Sequence, residues 1–144
     1  MKTTKKIIMA NAHNAVGVHE GMLTKRSKTD DLQAYCLVCF DGDANYVKIC
    51  PKTEIPWGVS QYNAEVKDDL ICVQPLSSCA RTAKIRIASK VKAGQLLCLA
   101  DNGHAQALPS EAGTYCIIGL ALEDGQKDGC IEVLTSLPRN LKVK

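Results

Sequence analysis

Eight cysteines, at positions 36, 39, 50, 72, 79, 98, 116 and 130, are the residues of this chain with the most chemistry to offer. Cys36 and Cys39 have the C-x-x-C spacing of a zinc knuckle or a redox pair. A structural zinc site needs a second such pair or two histidines, and neither follows, so no metal ligands are assigned. A thioredoxin-like pair needs its first cysteine at a helix start after a strand, whereas residues 34–40 read as strand throughout. Cys72 stands between Ile71 and Val73, Cys98 between Leu97 and Leu99, and Cys116 between Tyr115 and Ile117. Those are positions where a free thiol serves as a small buried hydrophobe.

Other reactive types are scattered. Of the three histidines, His13 and His19 fall in a polar N-terminal stretch, and His104 falls in a turn beside Gly103, where solvent is expected. Ser77 and Ser78 precede Cys79 without the G-x-S-x-G frame of a strained nucleophile elbow. Asp68, Asp69 and Asp128 read as turn residues that serve the backbone, and Gly125 is isolated, without the glycine spacing of a phosphate loop. No catalytic residue, cofactor or metal is assigned, and the chain reads as non-enzymatic.

Charge and composition narrow the partners. The net charge is +3, and the excess lies in residues 1–34, which hold six Lys or Arg against three acids. Residues 35–144 hold twelve of each. A neutral body gives little long-range pull on DNA or an anionic membrane, while a basic arm can touch an acidic partner. With one Trp, one Phe and four Tyr there is little material for a base-stacking platform, so nucleic acid is not expected as a partner. No stretch approaches the roughly 20 apolar residues of a membrane helix. Lys2, Lys5 and Lys6 precede Ile7, Ile8 and Met9 as in a secretory signal, but the apolar run ends at Asn11, His13 and Asn14. A reducing compartment is expected, with the thiols free.

The elements behind these residues are strands. Short apolar runs bounded by Asp, Gly, Asn and Pro predict strands over 35–40, 46–50, 70–74, 84–88, 96–100, 115–122 and 130–135. Ile85 and Ile87 alternate with Lys84 and Arg86, so one face of that strand points inward. Asp41-Gly42 and Asn102-Gly103 tolerate positive φ and should close hairpins. Helix is expected only as a turn or two near 89–93. The chain also matches itself at an offset of about 60 residues. Leu37-Val38-Cys39-Phe40, Ile49-Cys50-Pro51, Trp57-Gly58-Val59 and Leu70-Ile71-Cys72-Val73 align with Leu96-Leu97-Cys98-Leu99, Ala107-Leu108-Pro109, Ile118-Gly119-Leu120 and Cys130-Ile131-Glu132-Val133. A mid-strand glycine, Gly58 or Gly119, implies close backbone approach or a sharp bend, which is how a small sheet closes. The fold class is therefore all-β: a small barrel or packed two-sheet body over 35–144, made from a duplicated unit at about 37–73 and 96–133, after a polar basic arm over 1–34.

The run Val91-Lys92-Ala93-Gly94-Gln95-Leu96, the turn Asp101-Asn102-Gly103, Gly113, Ile118-Gly119-Leu120-Ala121-Leu122 and Gly129-Cys130-Ile131-Glu132-Val133 resemble the C-terminal half of the phage capsid cement or head decoration family. Trp57-Gly58-Val59 and Asp69-Leu70-Ile71-Cys72-Val73 are similar to its N-terminal half, and the resemblance covers residues 35–136. It implies a phage or prophage structural protein made in the bacterial cytoplasm and carried on the virion. Its partner would be the major capsid protein, and it would self-associate, a trimer being one form. The 34-residue arm and the eight cysteines depart from that family. The alternative is a small β-barrel binding module. A lipoyl-like carrier would need a lysine at a hairpin tip, but Lys48 lies beyond the first tip and the second has none; a nucleic-acid binder would need aromatics on a basic stripe. Thiol titration of the denatured chain under argon should count all eight cysteines; a count of four or fewer would establish a disulfide framework instead.

Overall fold

The computed structural model of the protein describes residues 21–77 and 81–144. It is all-β. The first five strands, β1 (Leu23–Ser27), β2 (Leu37–Asp41), β3 (Asp43–Ile49), β4 (Gly58–Ser60) and β5 (Leu70–Pro75), close into a barrel in the order β1-β3-β2-β4-β5, with β1 meeting β5. The next five, β6 (Ala83–Arg86), β7 (Leu96–Leu99), β8 (Ala105–Ala107), β9 (Gly113–Ala121) and β10 (Cys130–Val143), form a sheet in the order β6-β10-β9-β7-β8. No helix among the described residues is long and apolar enough to cross a membrane.

Both sheets follow one wiring. Leu23 faces Val73 and Arg26 faces Leu70 in the first; Ala83 faces Val133 and Arg86 faces Cys130 in the second. Val38 pairs with Gly58 and Ile49, as Leu97 pairs with Gly119 and Ala107. Where β1 and β3 run parallel over Arg26–Tyr46 and Ser27–Val47, the second sheet has a single parallel bridge between Ile87 and Ala105. The second body is thus the same ring, nearly open along one seam.

That seam decides where the core sits. The first barrel encloses a small cluster of Leu32, Val38, Val47, Ala64, Ile71 and Val73. Leu37, Cys39, Cys50, Val59 and Leu76 instead join Ile85, Ile87, Leu97, Leu99, Ile118, Ile131 and Val133 of the second sheet in one larger core. Leu37 and Val59 alternate with the inward Val38 and Gly58 on their strands, so they stand on the outer face of the first barrel. The elements that touch it flank the open seam: β6 lies against β4, and the turn at Asp101–Gly103 lies on Leu37, Ile49 and Cys36. The Arg86 amide also donates to the Tyr35 carbonyl at 2.8 Å.

Several expectations are corrected. Residues 21–34, expected as arm, include a strand of the barrel, β1, and the buried Leu32; their polarity hides them, because the consecutive Lys25 and Arg26 put a charge on each face of a five-residue strand. Residues 89–93 hold no helix: Val91 bridges to Gly125 instead. Strands β4 and β8, of three residues each, are too short to carry a pattern. The last strand runs to Val143, past Pro138, because the register shifts between Thr135 and Arg139, and a bulge is where a sheet tolerates proline. Both expected hairpins are present, with positive φ at Gly42, Asn102 and Gly103.

At Gly58 a Cβ would meet the Val73 side chain and come within 2.9 Å of the Gln74 carbonyl; at Gly119 it would meet the Leu134 carbonyl and come within 3.0 Å of the Val133 side chain. Gly58→Ala and Gly119→Ala should therefore each lower stability by about 1–3 kcal/mol in urea unfolding, the usual size of an overpacking penalty. Wild-type midpoints for both variants would show that the strands separate freely.

Candidate interaction surfaces

The hairpin tip of β7 and β8 brings chemistry to the junction of the two sheets. Asn102 and His104, from either side of Gly103, meet Asp31, Gln33, Cys36 and Ile49 of the first barrel, and with Arg86 and Asp128 they line a cleft of about 530 Å³. Gly103 is fitted to this place: its φ is +68°, and a Cβ there would lie 2.6 Å from the Leu37 carbonyl. Arg86 donates from Nη1 to the Asp128 carbonyl at 3.4 Å, and its Nε is buried without a hydrogen-bond partner. At the matching place in the first barrel, Arg26 donates from Nη1 to the Asp68 carbonyl at 2.9 Å, and both Asp68 and Asp128 have positive φ.

Burial and the Arg86 charge shift both titratable groups of the cleft. Burial pushes the Cys36 thiol up to about 11, against the pull of the Arg86 guanidinium. A thiol that stays protonated near neutral pH is a poor nucleophile and a poor metal ligand. His104 was expected in solvent, but it is half-buried, because the turn that carries it is pressed onto the first barrel. Burial, then the Arg86 charge, hold its pKa below the ordinary 6.5, with Asp128 acting in the opposite sense.

The two cysteines of the C-x-x-C pair face different surroundings. Cys36 Sγ donates to the Ala34 carbonyl, near Arg86 and Cys130. Cys39 Sγ donates to Glu54 Oε2 at 3.0 Å, beside Cys50, and Glu54 also pairs with Lys48 at 3.0 Å. Those two donors hold the Glu54 carboxyl below its usual range, and the hydrogen bond with Cys39 and burial push Cys50 up. Among the described residues the seven cysteines are free, and no three His, Cys, Asp or Glu converge as a cation site would require. Asp69 accepts from the Val66 amide at 3.1 Å, and the Ser77 amide donates to Thr135 Oγ1 at 3.0 Å. Ser78, Cys79, His13 and His19 lie outside the described residues.

A second surface escaped the sequence reading. Leu96 and Leu134 both pair with Leu120, and the Leu108 amide donates to the Leu96 carbonyl at 2.9 Å. Four leucines thus form one row across the outer face of the second sheet. Leu96 is 40% exposed and Leu134 51%, with Leu122 exposed beside them. Adjacent apolar side chains of this kind mark a contact surface more clearly than single ones do. Only the ladder register joins residues that are far apart in the chain.

The fold is similar to the base of a phage head fiber. The solved structure is the crystal structure of the head fiber gp8.5 N base of bacteriophage phi29, with a TM-score of 0.63 and 19% identity, covering 83% of this chain and 96% of that one. It is described as a head fiber and not as a capsid decoration protein. No family model and no curated protein matches the chain.

The His104 environment can be measured. A group whose folded pKa lies below its unfolded value stabilises the fold above the unfolded value, and that contribution is lost as pH falls below 6.5 and through the folded pKa. His104 should titrate below 6.5 by NMR, and Arg86→Gln should raise its pKa part of the way, since burial is the larger cause. Titration at or above 6.5 in the wild type would show that the cleft is fully wet.

Proposed function

We propose that this chain is a non-enzymatic structural protein of a phage or prophage, which decorates the head by binding the outer surface of the shell. The observation that carries this reading is the likeness of its fold to a phage head-fiber base, over 83% of this chain and 96% of that one. The physical design fits a protein whose work is to bind and stay folded. A closed barrel with a second ring sealed against it hides strand edges that would otherwise template aggregation. The Cys36 thiol in the cleft is kept protonated by burial, which suits a structural role.

A decoration protein works through many copies. A contact too weak to hold one molecule can hold an oligomer, because each further contact forms at high effective concentration. Lys2, Lys5 and Lys6, with Glu20 as the one acid in the first twenty residues, add attraction to an acidic shell surface. The major capsid protein is the proposed partner and the virion head the proposed location.

The test is co-sedimentation. Purified full-length protein mixed with decoration-free shells of its own phage should pellet with them at low salt and be displaced as salt rises. Protein that stays in the supernatant at low salt rules out shell decoration.

A further inference from the structure

We propose that the leucine row of the second sheet is a self-association surface, which packs against the same row of a second copy of this chain around a symmetry axis. The argument starts from what the chain does with the equivalent positions in its first half. There the row reads Cys50, Leu37, Val59 and Gln74, held by the same pairings: Leu37 to Val59, Val59 to Gln74, and the Cys50 amide to the Leu37 carbonyl at 3.0 Å. Cys50, Leu37 and Val59 are fully buried, in the core they share with the second sheet. This face is therefore already used, once, to hold a body of this fold. In the second half the same face is more apolar, with Leu108, Leu96, Leu120 and Leu134, and nothing among the described residues seals it.

The occupant follows from what each available surface offers. A head-to-tail contact would set the row on the β1–β3 seam of another copy, the counterpart of the seam that the first barrel covers within the chain. That seam is closed by Arg26–Tyr46 and Ser27–Val47, and its outer side carries exposed Arg26 and the Lys28 ammonium, 4.7 Å from the centre of the Tyr46 ring. Covering those cations with leucines would strip their water and return no partner. A head-to-tail contact also propagates unless its rotation closes. Four uncharged leucines can pack against the same four of another copy, and rows meeting at an axis make a closed assembly.

The inference does not rest on shell binding, and the two fail separately. Sedimentation equilibrium of the full-length chain should show a concentration-dependent oligomer. The double variant Leu96→Lys/Leu134→Lys should run at the mass of one chain, with the circular dichroism spectrum of the wild type. Leu70→Lys, a change at an exposed leucine of the first barrel (63% exposed), should leave the oligomer intact. If the double variant unfolds, Leu134→Ser alone is the readout, and a marked weakening of association is expected. A wild-type chain that is monomeric at every concentration overturns the proposal, as does an oligomer that survives the double substitution. A monomeric wild type that pellets with shells, and loses that binding in the double variant, would assign the row to the shell and overturn self-association while leaving decoration standing.

Discussion

A five-stranded ring of this wiring closes only where its first strand meets its third in parallel. In the first barrel that seam carries two residue pairs, and Lys25 adds a bond from Nζ to the Ala44 carbonyl at 2.6 Å. In the second it is one bridge, Ile87 to Ala105. An open seam would leave Ile85, Leu97 and Ile131 within reach of water, and burying such side chains is worth about 1.5–3 kcal/mol each. The outer face of the first barrel removes that exposure. The shared core, the Arg86 to Tyr35 bond and the cleft at His104 all follow from this placement.

The two halves diverge where their surroundings differ. The positions of Lys25, Phe40 and Trp57 in the first barrel are taken by Ile85, Leu99 and Ile118 in the second, where they belong to the shared core. Lys25 lies 5.7 Å and 5.9 Å from the Phe40 and Trp57 rings, which stack with centroids 4.8 Å apart. Such a cation–aromatic cap suits the partly exposed end of a barrel, where Phe40 still meets solvent. A purely aliphatic cluster suits the end that another body covers.

Chemistry in the molecule is subordinate to packing. Burial raises Cys36, Cys98 and Cys116 above the ordinary thiol range, so these cysteines act as compact apolar fillers. Cys39 and Lys48, both on Glu54, tie β2 and β3 to the loop that follows them. The likeness to a phage head-fiber base is a likeness of architecture.

Sequence alone determined the class, most of the strands and the turns, because these depend on local causes. Alternation set the inward face of β6, and Asp-Gly and Asn-Gly marked positions where φ turns positive. It also marked Gly58 and Gly119 as points of close approach, since glycine inside a strand has few other uses. Only the tertiary structure decided that residues 21–34 belong to the barrel, that His104 leaves solvent, and that Cys36 and Cys39 part company. It alone distinguished the buried Leu37 from the exposed Leu96, two residues in matching apolar runs. A local pattern records which side chains avoid water, but which of two equivalent faces finds a cover depends on the single seam that stays open, and that is a property of the assembled chain.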